Sequence, residues 1–245
     1  MTTTTPTSAR PGPAPTDTLA QPRDHRRERL AALSGIVFVA ILLVHVALQG
    51  DGVPSATDSA DKIVRYLADH RTGIQIGTYL QGLAMVAYLW FVASLWRHVR
   101  PAEGDPGRLS IVPVAAVAVL TALIGVHIAT LTTLALRADA AVDSHVLATG
   151  YLFAMVVLGL SAFPCAALTG AVGVLALRTG VLPRWFGRLS LVAAALWLAA
   201  GAGAASEHDL WQGVGFAAFA VWLAWTAIAS VLVYRRTPTV TSPPC

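Results

Sequence analysis

Residues 111–136 read IVPVAAVAVLTALIGVHIATLTTLAL, twenty-six positions without an Asp, Glu, Lys or Arg. A helix rises 1.5 Å per residue, so about 20 apolar residues cross a hydrocarbon core of about 30 Å. This stretch is therefore long enough for one full passage. Working outward, five further windows are equally free of charge, and the set runs 31–50, 73–96, 111–136, 147–177, 189–206 and 211–234, more than half of the 245 residues. In a bilayer every backbone polar group needs a partner within the protein, which leaves helices and closed barrels. Barrel strands alternate polar and apolar residues, and runs this long and this uniformly apolar do not. The expectation is an all-α polytopic membrane helix bundle with six transmembrane helices.

The composition agrees. The chain is 56% hydrophobic and only 12% charged, where soluble domains carry about 25% charged residues. A water-soluble enzyme and a disordered protein are both excluded on that ground. A net charge of +4 does not point to nucleic acid, because no basic patch with interleaved aromatics lies away from the span ends. No nucleic-acid partner is expected.

The basic residues sort by side. The amino-terminal segment, the loops after spans two and four, and the carboxyl tail hold thirteen Lys and Arg, whereas the opposite side holds four: Lys62, Arg65, Arg71 and Arg137. The positive-inside rule then places both termini in the cytoplasm of a bacterial plasma membrane. Trp96, Trp185 and Tyr234 at span ends on the inner side, with Tyr151 and Trp211 on the outer, fit interfacial anchoring. The expected partners are accordingly the lipid bilayer and, for the juxtamembrane arginines, anionic lipid headgroups.

The expected organisation is a cytoplasmic tail over 1–29, a six-helix transmembrane domain over 30–236 and a second tail over 237–245. Residues 1–22, rich in Thr and Pro, read as disordered. Arg26-Arg27-Glu28-Arg29-Leu30 superficially resembles a twin-arginine export signal, but the apolar run behind it is too long for a signal-peptide core. Pro164 near the middle of the long fourth span predicts a kink there. Small residues four apart on that span, Ala166 with Gly170 and Thr169 with Gly173, mark a close-packing face. The bundle interior is its first expected use, and a homo-oligomer through span four the second. The only cysteines, Cys165 and Cys245, lie mid-membrane and at the last residue, so no disulfide framework is expected.

No carboxylate, Lys or Arg lies within a span, which removes the residues that ion-driven pumps and proton relays normally place there. Two histidines remain. His45 lies about 22 Å along span one and His127 about 24 Å along span three, both in the half of the bilayer opposite the arginine-rich side. Gln49 and Thr130 sit one turn beyond them, and Gln75, Thr78 and Gln81 occupy the first turns of span two. Polar groups in lipid are costly unless they meet one another, so a shared cluster of these seven residues, open to the outer side, is expected. It suits a small lipophilic or amphiphilic ligand, a step in a transport path for a small-molecule transporter or permease subunit, or a b-type haem held by His45 and His127. Hydrogen bonding across helices is the purely structural alternative. No catalytic residues are identified: no nucleotide loop, no Ser/His/Asp order and no paired-carboxylate site is visible, and the chain is read as non-enzymatic. Glu207, His208 and Asp209 on an outer loop match no zinc-motif spacing, so no metal is expected.

From Ser59 to His70, Ala60, Ile63, Val64 and Leu67 recur at helical spacing among charged neighbours. This predicts an outer interfacial amphipathic helix with Ser59 as N-cap and Asp61 in its first turn. Its expected place is flat on the bundle or in the headgroup zone, where it serves first as an interfacial spacer and second as a lid over the polar cluster.

Three segments carry a resemblance: SADKIVRYLADHR at 59–71 leading into a long second span, LWRHVR at 95–100 closing it, and LPRWFG at 182–187 between spans four and five. On these the chain resembles a group of actinobacterial multi-pass integral membrane proteins defined by a domain of unknown function, over about residues 29–236. The resemblance implies a fold and a membrane location and brings no catalytic residue with it. In physical terms, Pro183 is expected to end the fourth helix, Arg184 to meet headgroup phosphates and Trp185 to anchor at the interface.

Overall fold

The computed structural model describes residues 21–48, 52–55, 58–138, 142–203 and 209–236. Among these it has eight helices: α1 (Gln21–Leu48), α2 (Ala60–Asp69), α3 (Arg71–Glu103), α4 (Arg108–Arg137), α5 (Ser144–Leu160), α6 (Ala162–Thr179), α7 (Arg184–Gly203) and α8 (Asp209–Arg236). Six segments are long and apolar enough to cross a membrane; α5 and α6 together form one of them. The fold is an all-α membrane helix bundle. The backbone of α1 is already helical from Gln21, ahead of the position 30 at which the helical domain was expected to begin.

The fourth span breaks at Ser161, three residues before Pro164. Proline has no N–H to give to the carbonyl four residues back, and its ring crowds that carbonyl, so the disruption falls on the turn preceding it. Ser161 Oγ donates to the Leu158 carbonyl at this point. At the other end α6 is closed by Gly180, at φ +68°, whose N–H bonds Ala176 O at 3.1 Å. Only glycine enters this left-handed region without steric cost. The helix thus ends before Pro183, a departure from the expected stop. Pro183 instead opens α7, its carbonyl accepting from Phe186 N and Gly187 N, in keeping with the preference for proline at helix starts.

Between α3 and α4 the Glu103 carboxylate accepts from Leu109 N at 2.7 Å and Ser110 N at 2.8 Å. It satisfies two of the open donors at the α4 N-terminus and lies favourably in the helix dipole. Arg100 closes the same turn through Gly104 O and Asp105.

The small-residue face of α6 packs on α7: a methyl on Gly173 would meet Gly187 O at 3.0 Å, and one on Gly170 would meet Ala194. A second close approach joins α1 to α3 and α8 at Gly35. A Cβ there would collide with Ser230 Oγ and stand 2.8 Å from Phe91 Cδ2. Overpacking of such a contact costs about 1–3 kcal/mol, so Gly35→Val should lower unfolding stability in detergent by that amount. A loss under about 0.5 kcal/mol would mean that these helices tolerate separation.

The core falls into two parts. The larger is dominated by aromatic rings toward the arginine-rich end. Tyr88 packs on Phe38 (centroids 4.4 Å) and accepts from Trp222 Nε1 at 2.9 Å. Trp225 stacks on Phe186 (5.6 Å) and donates to Ser190 Oγ at 2.7 Å. The smaller part joins Ile63 and Leu67 of α2 to Leu131 and Leu134 of α4 and Tyr151 of α5. The Ser59 side chain caps α2 as expected, accepting from Lys62 N. The buried stripe is Ile63, Tyr66 and Leu67, so α2 is seated on α4 and α5 rather than lying loosely over the bundle. Asp58 pairs with Lys62 at 2.8 Å. That ammonium and the Ser55 N–H hold its carboxyl below the usual range.

Candidate functional site

A cavity of about 500 Å³ opens among the helices on the α2 side of the aromatic layer. His45 from α1, Gln81 from α3, His127 from α4, Ser161 at the α5–α6 break, Trp197 from α7 and Trp222 from α8 all line it. Every spanning segment thus contributes a polar or aromatic group. Among the described residues that line it there is no Asp, Glu, Lys or Arg. Val46 on α1 and Phe216 on α8 also line it and are 40% and 71% exposed, so the cavity reaches the outside of the bundle past these two side chains.

The polar groups are held in defined ways. His127 is buried, and its Nδ1 lies 2.9 Å from Ala154 O of α5. A carbonyl has no proton to give, so Nδ1 carries the hydrogen and Nε2 of the neutral ring is an acceptor. The His45 ring rests on α3 at Gly77, where an added Cβ would come within 3.0 Å of Nδ1. Glycine at this position lets the imidazole lie against backbone.

Gln81 and Trp197 differ from the histidines. Each is only 8% exposed, and neither Gln81 Oε1 nor Trp197 Nε1 has a hydrogen-bond partner among the described residues. Buried polar atoms are nearly always paired, because an unpaired one costs on the order of 1–3 kcal/mol. One strong acceptor and one strong donor are therefore left open on the wall of a single apolar chamber.

A smaller cavity of about 140 Å³ lies beneath α2, lined by Tyr66, His70, Thr78 and Tyr151 together with His45 and His127. His45 and His127, with Met155 and Leu158 of α5, belong to both chambers and form their common wall. Tyr151 Oη donates to Pro54 O at 2.9 Å, tying the segment before α2 to α5.

The expected cluster divides accordingly. His45, Gln81 and His127 come together on the large cavity. Thr78 lines the small one and bonds Thr132 Oγ1 at 3.1 Å and its own helix at Gln75 O. Gln75 and Thr130 line neither; the Thr130 hydroxyl bonds Val126 O of its own helix at 2.8 Å. Gln49 lies outside the described residues, as do Glu207, His208 and Cys245. No group of three His, Cys, Asp or Glu arranged to hold a metal occurs among the described residues.

Sequence reasoning missed Ser161, Trp197 and Trp222, and noted Cys165 only as a mid-membrane thiol. One available signal was position: Trp197 and Trp222 lie inside their spans, whereas membrane tryptophans concentrate at the interfaces. Comparison of the chain with protein-family models, curated proteins and solved structures yields no match.

Proposed function

We propose that this membrane protein binds one uncharged lipophilic molecule with a hydroxyl-bearing or otherwise donor-and-acceptor head, taken from the non-cytoplasmic half of a bacterial plasma membrane. The observation that carries the reading is the pair of open groups, Gln81 Oε1 and Trp197 Nε1, on one cavity wall. A head that both donates and accepts answers both. The His127 Nε2 lone pair adds a second acceptor. A charged head is disfavoured, since a buried charge without a partner costs far more than a neutral polar group. The aromatic walls and the exposed Val46–Phe216 mouth suit an apolar body entering from lipid. Positive-inside orientation puts the arginine-rich end in the cytoplasm and α2 outside, and membership of the actinobacterial group named above is part of the same proposal.

Transport is the weaker reading. It needs a continuous polar path, and beneath the cavity lie the packed rings of Phe38, Tyr88 and Trp222. One observation favours b-type haem as a second reading: His45 and His127 face one chamber, with the His127 Nδ1–H bond leaving Nε2 for a metal. A Soret band in protein expressed with haem available would support it, and its absence would retire it.

The test of the leading reading is retention. Protein purified in mild detergent should carry an uncharged lipid at one per chain, identified by mass spectrometry of the extract. His45→Leu and His127→Leu should each lower its occupancy, with the helical signal in circular dichroism preserved. Unchanged occupancy in both variants would overturn the proposal.

A further inference from the structure

Two indoles form a corner in the wall of the large cavity. Trp197 of α7 and Trp222 of α8 both line it, with ring centroids 5.9 Å apart and planes at 82°. A flat ring laid in that corner runs parallel to one indole and edge-on to the other, the two arrangements in which aromatic rings attract. Phe219, whose ring centroid is 6.2 Å from that of Trp222, and the Met85 and Met155 thioethers line the same space. Methionine sulfur also packs favourably against aromatic rings. A saturated chain gains contact area from these walls and nothing from their geometry. The lining therefore favours a planar, conjugated head over an aliphatic one.

The hydrogen-bonding groups on this wall differ in kind. His127 commits its Nδ1–H to Ala154 O, so Nε2, the ring nitrogen left for a ligand, can only accept. Switching the tautomer to make Nε2 a donor forfeits the bond to Ala154. Gln81 Oε1 is a second acceptor, buried and without a partner among the described residues. Against these stands the buried Trp197 Nε1–H, which can only donate. A ring with two para hydroxyls meets all three: each hydroxyl donates once, and either accepts from the indole as well. The corresponding dione has two carbonyl oxygens and no O–H. It can take the Trp197 N–H and the Gln81 amide N–H, but it leaves His127 Nε2 and Gln81 Oε1 without a hydrogen.

We infer that this cavity binds the reduced, hydroquinone form of a lipid-soluble quinone in preference to its oxidised form. The inference rests on the lipid-binding reading above and adds the chemistry and oxidation state of the head. A phenolic hydroxyl titrates near pH 10, so the head is uncharged at neutral pH, as suits a cavity with no Asp, Glu, Lys or Arg among its described lining residues. The ring takes the indole corner, and its hydrocarbon chain leaves past Val46 and Phe216 into lipid. Binding itself moves no electron; the site distinguishes the two forms by the two hydrogens that only one of them carries. Two buried acceptors left unmet disfavour the quinone by roughly tenfold or more.

Titration calorimetry of the delipidated full chain in mild detergent under argon, with decylubiquinol, decylubiquinone or 1,2-didecanoylglycerol, tests the site. Wild-type protein should bind the quinol at one per chain and roughly tenfold or more tighter than the quinone, with the aliphatic diol weaker than the quinol. His127→Phe and Gln81→Met each remove one acceptor at similar volume, so each should weaken quinol binding and narrow the gap between the two forms. Trp197→Phe removes a donor that both forms use, so it should weaken both and leave their ratio unchanged. Equal or tighter binding of the quinone by wild type overturns the inference, as does a ratio that survives in both His127→Phe and Gln81→Met. Didecanoylglycerol binding as tightly as the quinol overturns it too, while the lipid-binding reading stands. Binding of none of the three also overturns it, and the lipid-binding reading is then decided separately by the lipid that co-purifies.

Discussion

Gln81→Leu is expected to make the ligand-free protein more stable, by about 1 kcal/mol, while weakening lipid retention roughly tenfold. The two effects share one cause. Gln81 is almost wholly buried, and its Oε1 has no partner among the described residues, so in the empty protein it is a desolvated acceptor without compensation. Leucine is similar in size and carries no such penalty. With ligand bound, the same oxygen accepts a hydrogen bond that leucine cannot provide. Trp197→Phe should behave alike through its indole N–H, and the double variant should lose retention by roughly the product of the two factors where the sites act independently. Thermal unfolding of delipidated protein, set beside quantified lipid in the purified sample, reads both quantities. A variant less stable when empty, with retention intact, would show that Gln81 has a structural partner and that the proposed ligand does not use it.

Trp225→Ala should cost about 3–5 kcal/mol, the largest single-residue effect in the bundle. Trp225 is completely buried, stacks on Phe186, meets Phe91 edge-on and donates to Ser190 Oγ. The substitution opens a void at the point where α3, α7 and α8 converge, and the surrounding rings cannot collapse into it without leaving their own contacts. Trp225→Phe keeps most of the ring and loses the hydrogen bond, so it should cost about 1 kcal/mol. Chemical denaturation in mixed micelles separates the two. Equal losses would mean that the hydrogen bond, not the volume, holds this layer together.

The spans were legible because transfer into lipid depends on composition along a window of about twenty residues, a property that needs no tertiary information. All six charge-free windows correspond to described spanning segments. The break at Ser161 was legible only approximately: Pro164 marks it, but the missing N–H acts on the preceding turn. The site was half legible. His45, Gln81 and His127 stand out because polar side chains are rare in these windows. Thr130, chosen on the same ground, satisfies its hydroxyl within its own helix, and depth along a span does not distinguish that outcome from a cross-helix bond. The contributions of α7 and α8 were hidden for another reason. Trp197 and Trp222 are apolar by composition, and which face of a helix turns inward is decided by neighbours far away in sequence.

The bond from Tyr151 to Pro54, together with the packing of Ile63 and Leu67 on α5, couples two parts of the molecule that the chain order keeps apart. The helix over the small chamber and the α5 wall bearing Met155 and Leu158 are therefore tied by the same contacts, and that wall belongs to both compartments. A substitution that loosened the Tyr151–Pro54 bond would thus reach the large chamber through α5 as well as the small one beneath α2.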